Sequence, residues 1–207
     1  MRVVIVTPWR TDDGPREAIY RHVRAQQEQL GLPIRTGDSG HDPFNICASW
    51  NRAADAPWDV ALFWAADFML AEPMTALDAA VQAANGHPYV FAFDKATRLS
   101  FRETAQALRG GTIPTRHDTL PFGGVRAINR AWWDQLGGYD ERFQGWGHGD
   151  RAYVAAMRRH GGHPTRVPGQ LIMLRHPGRK HRPTDPFYAH QKRNLRLLRE
   201  YTEEAPE

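Results

Sequence analysis

Short apolar runs alternate with amphipathic stretches along the first half of the chain. Residues 3–7, Val-Val-Ile-Val-Thr, form the continuous β-branched run expected of a strand buried on both faces. A polar turn, Thr11-Asp12-Asp13-Gly14, leads to Pro15, which stands where a helix starts. Ala18, Ile19, Val23 and Leu30 then recur at roughly helical spacing until Gly31 ends the pattern. Residues 33–36 and 60–64 read as the next two strands and 89–93 as a fourth, with helical stretches at 44–54 and 73–84. Strands that alternate with helices predict an α/β protein built on one Rossmann-like mixed sheet, mainly parallel and flanked by helices. Ligands of such sheets bind beyond the carboxyl ends of the strands, which brings Pro8, Trp9, Arg10, Asp38 and Asp67 towards one crevice.

The pattern weakens after residue 95. Residues 99–108 read as a helix and 110–119 as a polar loop, either a lid beside the crevice or a plain connector. A strand at 122–128, helices at 130–135 and 149–160, and an apolar strand at 171–174 follow. The remainder is dense in Arg, Lys and His and ends in a helix at 187–201. Trp132 and Trp133 lie on a helix and are expected in the core, whereas Trp9 is either core packing or a wall for a ligand.

Composition narrows the class. The 207 residues suit one domain with a full core, and 41% apolar with 24% charged residues is ordinary for a globular protein. A net charge of +4 permits a diphosphate or polyanion as partner without requiring one. The lone cysteine, Cys47, leaves no internal disulfide and fits a reducing compartment. No run reaches the length that spans a bilayer, and the N-terminus does not read as a signal peptide, so a cytoplasmic location is expected.

The chemistry concentrates in residues 121–153, where Gly-Gly-Tyr-Asp-Glu-Arg-Phe-Gln-Gly-Trp-Gly-His-Gly-Asp sets Asp150 behind a run of glycines and aromatics. Glycine lets backbone and ligand approach closely, and aromatic rings offer flat apolar faces, a surface suited to a sugar. The alternative is a glycine-rich surface loop with Trp146 in the core. Asp150 falls in the first turn of a helix, whose dipole keeps a carboxylate ionised and only weakly basic.

Four separated segments resemble the catalytic domain of the β-1,4-galactosyltransferase family: Pro8-Trp9-Arg10; Phe44-Asn45 with Asn51; Phe122-Gly123-Gly124-Val125-x-Ala127 running through Gly137-Gly138-Tyr139 into Gly145-Trp146-Gly147-x-x-Asp150; and Met173-Leu174-Arg175-His176. The resemblance covers nearly the whole chain and implies the GT-A glycosyltransferase fold. It implies a nucleotide-sugar-binding half at 1–95, an acceptor and catalytic half at 96–176, and a basic tail at 177–207.

The same resemblance implies an inverting, metal-dependent transfer of a galactose-type hexose from a UDP-sugar to a hydroxyl of a saccharide or other acceptor. Asp67, Met173 and His176 fall on the ligands of Mn²⁺ (or Mg²⁺), and Asp150 falls on the general base. Pro8, Trp9, Arg10, Asp38, Phe44, Asn51, Asp67 and Gly124 are expected at the donor. Phe122, Gly123, Trp146, Gly147 and Asp150 are expected at the acceptor.

The chain departs from the family at Ala65, which replaces the first Asp of its Asp-x-Asp, at His148 and Gly149 in place of Gly and Glu, and at Pro121 before the Phe-Gly-Gly motif. These departures leave donor and acceptor open and admit a second reading, a catalytically inactive nucleotide-sugar-binding module. A third reading comes from the basic residues Arg175, Arg179, Lys180, Arg182, Lys192, Arg193, Arg196 and Arg199, which suggest nucleic acid, with a hydroxylated DNA base as acceptor. Otherwise these residues form a solvated helix face.

Overall fold

A computed structural model of the protein describes residues 1–11, 13–42, 44–145, 147–176 and 186–202, the last of these with side chains from residue 190. In order, the elements are β1 (Val3–Pro8), α1 (Pro15–Glu28), β2 (Ile34–Gly37), α2 (Ile46–Ala54), β3 (Val60–Trp64), β4 (Phe68–Leu70), α3 (Thr75–Ala84), β5 (Tyr89–Phe91) and β6 (Lys95–Arg98). There follow α4 (Phe101–Ala107), β7 (Val125–Asn129), α5 (Arg130–Leu136), α6 (Gly149–Arg159), β8 (Pro164–Arg166), β9 (Gln170–Met173) and α7 (Pro186–Thr202). Each of the predicted strands and helices is present, shifted by a few residues at its ends.

Six strands form a central mixed sheet in the order β2-β1-β3-β7-β5-β8. β1 is parallel to β2 and β3, β7 is antiparallel to β3 and β5, and β8 is parallel to β5. The sheet is therefore more mixed than the strand-helix alternation suggests, because β7 enters from the second half of the chain and runs against its neighbours. A second sheet, β4-β9-β6, lies beside it and was not legible in the sequence. β4, β6 and β8 have only three or four residues each, too short for a period to show. Segments 1–95 and 96–176 interleave, since β7 lies between β3 and β5, and β9 lies between β4 and β6.

Strand direction fixes where a site can form. The carboxyl ends of β1, β2, β3 and β5 share an edge with the start of antiparallel β7: Pro8 pairs with Gly37, Trp64 with Val125, and Phe91 with Arg126. Loops 8–11, 38–45, 65–67 and 121–124 therefore open on one side. β3 is buried at every residue, as its apolar run requires, and Trp133 joins the core.

The small sheet is held to the large one partly by Gln26 of α1. Its buried side chain donates to Leu70 O at 2.7 Å and accepts from Leu70 N at 2.9 Å. Among the described residues no helix is long and apolar enough to cross a membrane. Replacing Gln26 with Leu, similar in volume, leaves both backbone groups of Leu70 buried without partners. We expect a loss of about 2 kcal/mol in urea-unfolding stability; an unchanged midpoint would show that β4 does not depend on this clamp.

Candidate active site

At the β1 edge, Arg10 forms a two-armed pair with Asp38, Nε to Oδ1 at 2.9 Å and Nη2 to Oδ1 at 2.5 Å, and donates to His41 O at 2.7 Å. Its hydrogen bonds hold the Asp38 carboxyl below its ordinary range. The Arg10 guanidinium lies over the Phe44 ring, so Arg10, Asp38 and Phe44, all expected at the donor, do meet. Trp9 stacks on Tyr20 with centroids 4.1 Å apart, and Arg16 lies over its ring. Pro8 ends β1 beside them.

Asn51, expected at the donor, and Asn45, of the same motif, have other commitments in the structure. Asn45 caps α2 by accepting from Ala48 N and donates to Glu141 O at 2.8 Å. Asn51 accepts from Tyr139 N at 2.9 Å and donates to Tyr139 O at 2.9 Å. Both asparagines thus fasten the turn that follows α5.

At the carboxyl end of β3, Ala65 is buried and donates its N–H to Gly124 O at 3.3 Å. Two residues on, Asp67 Oδ2 lies 3.4 Å from His176 Nε2, both side chains about one-third exposed. The approach follows from the small sheet: β4 and β9 pair Phe68 with Met173, and Leu174 N donates to Asp67 O at 2.9 Å. Asp67, Met173 and His176 therefore come from segments a hundred residues apart to one place. A carboxylate and an imidazole at this separation suit shared ligation of a hard divalent ion, with open positions left for diphosphate oxygens. Among the described residues no group of three or more His, Cys, Asp or Glu is placed to hold a metal.

The glycine pair before β7 lies between this acid–imidazole pair and Asp150. Gly124 has φ +114°, and a side chain there would press on Phe93 and Leu171. A Cβ on Gly123 would collide with Asp150 Oδ2. Phe122 is exposed, under the guanidinium of Arg151, and its carbonyl accepts from Tyr89 Oη at 3.3 Å.

Asp150 opens α6 and is one-third exposed. Its Oδ1 accepts from Arg126 Nη2 at 2.7 Å and from Tyr139 Oη at 3.0 Å. Arg126 also donates to Tyr139 Oη. Arg126 is fully buried in the middle of β7, with the rings of Trp50, Phe63, Tyr89 and Tyr139 at 4.9–5.9 Å from its guanidinium carbon. Burial works against its charge, but Asp150 and the phenols of Tyr139 and Tyr89 outweigh it and hold the pKa above the usual arginine value. Burial pushes the Tyr139 hydroxyl well up, so it stays a donor.

Two departures from the family pattern have structural counterparts. A Cβ at Gly149 would stand 2.6 Å from Cys47 Sγ on α2, so the close approach of α2 and α6 leaves no room for a side chain there. His148, in place of a glycine, keeps a glycine-like backbone at φ +71°. Burial, and after it Arg151, push its imidazole pKa down.

The described cations of α7, Lys192, Arg193, Arg196 and Arg199, form an exposed face, while the opposite face packs on the site. Asn194 of α7 is fully buried and donates to Gln144 O at 2.8 Å and Gly147 O at 3.2 Å, on either side of residue 146. Tyr201 donates to Asp140 at 2.8 Å, and Arg193 donates to Gln144 Oε1. Trp146 itself, and Arg179, Lys180 and Arg182, lie outside the described residues. The 110–119 loop is strapped along β6 by Asp118 N to Ala96 O at 2.8 Å, Arg98 N to Asp118 Oδ2 at 2.6 Å and Arg116 to Glu103, which favours the connector over the lid.

Residues 113–177 match the family model described as the N-terminal domain of galactosyltransferase. The catalytic domain of Drosophila β1,4-galactosyltransferase 7, solved with xylobiose, superposes with TM-score 0.60 at 15% identity, over 94% of this chain and 79% of that one. The chain has a GT-A glycosyltransferase fold, and over residues 113–177 it is similar to the galactosyltransferase family. A mutant of the same Drosophila enzyme with manganese, UDP-Gal and xylobiose superposes with TM-score 0.57 at 16% identity, over 90% of this chain and 75% of that one. The mannosyltransferase PcManGT of Pyrobaculum calidifontis, solved with GDP-Man and Mn²⁺, gives TM-score 0.58 at 12% identity, over all of this chain and 65% of that one. Comparison with curated proteins gives no match.

The Cys47–Gly149 contact is open to test. Gly149→Ala forces Cβ against Sγ and should cost about 1–3 kcal/mol of unfolding free energy. Adding Cys47→Ala should restore most of that; a double variant as unstable as Gly149→Ala alone would refute the contact as the cause.

Proposed function

We propose that the protein is a metal-dependent, inverting glycosyltransferase that moves a galactose-type hexose from a UDP-sugar to an acceptor hydroxyl. The observation that carries this reading is the position of one glycine pair. Gly124 accepts from Ala65, in the loop leading to Asp67 with its His176 partner, and Gly123 lies against Asp150, so the candidate metal ligands and the candidate base flank the same two residues. A sugar laid on that backbone has the acid–imidazole pair towards one side and a carboxylate towards the other. The structural neighbours that hold a sugar nucleotide with manganese favour the same class, although their nucleotides differ, UDP in one and GDP in the other.

Asp67, Met173 and His176 would hold Mn²⁺ or Mg²⁺, which supplies Lewis-acid neutralisation of the departing diphosphate. Arg10, fixed by Asp38 and lying over Phe44, presents a guanidinium edge and a ring at the nucleotide end; Pro8 and Trp9 complete the expected donor surface, while Asn51 is committed to Tyr139. Phe122, Gly123 and Gly147 line the acceptor side; Trp146, also expected there, lies outside the described residues. Asp150 takes the proton of the acceptor hydroxyl as that oxygen attacks the anomeric carbon. The bond from that carbon to the diphosphate oxygen breaks, its electron pair leaves with UDP, and the configuration inverts. The DNA-acceptor reading has no observation of its own: its strongest cations, in segment 177–185, lie outside the described residues, and Arg193 is engaged with Gln144.

The test is UDP release and sugar transfer across a panel of UDP-sugars, with and without Mn²⁺. Asp150→Asn should keep UDP and metal affinity and lose transfer by about 10²–10⁴-fold. His176→Ala should weaken Mn²⁺ binding measured directly. Transfer by Asp150→Asn at the parent's rate would remove Asp150 as base. Tight UDP binding with no turnover of any donor would favour an inactive binding module.

A further inference from the structure

A charged side chain fully enclosed in the centre of a sheet is costly unless something fixes it there, and Arg126 has no solvent contact. Its cross-strand neighbours in the sheet are Phe63 and Phe91, its cage is aromatic, and its single carboxylate partner is Asp150. Both donors that reach Asp150 converge on one oxygen, Oδ1. Oδ2 accepts no hydrogen bond among the described residues and faces the backbone of Gly123. A carboxylate bonded in this way has lost its rotation about the last side-chain torsion, and its two oxygens are no longer equivalent.

We infer that Arg126 and Tyr139 are positioning residues for proton transfer: together they saturate Asp150 Oδ1 and present Oδ2, over Gly123, to the acceptor hydroxyl. The inference rests on the reading of Asp150 as the base and assigns work to two residues that never touch substrate. It also accounts for the rings. When Oδ2 takes the proton the carboxyl becomes neutral, and Arg126 loses its counter-charge while still buried. Four aromatic faces then continue to stabilise the guanidinium until the proton leaves, so one turnover does not strand a bare cation. Tyr139 is brought to the pair by the turn that Asn51 clamps on both its N–H and its carbonyl. Asn51 of α2 thereby acts on the base at one remove.

The experiment is a kinetic double-variant cycle under single-turnover conditions. Tyr139→Phe, which keeps the ring and removes only the hydroxyl, should lower the transfer rate about 10-fold and leave the donor KM within about twofold; Arg126→Lys should lower it by up to about 100-fold. In an Asp150→Asn background, where no carboxylate remains to be aimed, the same substitutions should change the residual rate by less than about twofold. Equal losses in both backgrounds, or losses carried by donor KM, overturn the positioning role while leaving Asp150 as the base. An Asp150→Asn variant as fast as the parent overturns both together. If Arg126→Lys does not fold, the Tyr139→Phe cycle decides the matter by itself.

Discussion

Enclosing the Arg126 cation is the constraint around which the rest of the site is built. Moving an ion of that size out of water costs several kcal/mol even after relaxation, and only a close, well-bonded partner offsets it. That partner is Asp150, reached across the space between β7 and the start of α6. The cage requires large rings from α2, β3, β5 and the turn after α5 at once, and it finds them in Trp50, Phe63, Tyr89 and Tyr139. Each ring in turn packs on another: Phe63 meets Trp50 and Trp133, and Tyr139 stacks on Tyr153. One ion pair thus orders side chains from most layers of the molecule and draws the first turn of α6 onto the sheet.

Much of this was legible in the residues, for physical reasons that can be named. β3 could be read because five consecutive apolar side chains have no other home, and α1 because Pro15 and Gly31 bracket a helical period. The meeting of Asp67 with His176 was reached through the resemblance, since no local period joins positions so far apart. Arg126 was not legible. In Val125-Arg126-Ala127-Ile128-Asn129 it looks like the polar member of an alternating strand, which ordinarily faces water. Only the register with Phe63 and Phe91 reveals that this face is covered. The tail was legible in part: Lys192, Arg193, Arg196 and Arg199 do form an exposed face, but the density of cations hid the opposite face, where Asn194 and Leu198 are buried.

The asparagines show how a motif can be recognised while its use goes unseen. Asn45 and Asn51 match family motif positions, Asn51 one expected beside the donor, yet Asn51 is spent on Tyr139 and Glu141, and Asn45 on Glu141 and the cap of α2. A side-chain amide that satisfies both polar groups of one residue fixes a turn more firmly than a single bond would. Gly149 gives a complementary lesson: its missing side chain reads in the sequence as lost chemistry, while in the fold it is the space taken by Cys47.

The fastening of loop 144–147 by Asn194 has a consequence for assembly. Its carbonyls wait for a donor made some fifty residues later, whereas both β-sheets are already complete in sequence once β9 has been synthesised. Neither sheet therefore draws on α7, whereas the backbone on either side of residue 146 takes its final hydrogen bonds only when that helix docks against α6.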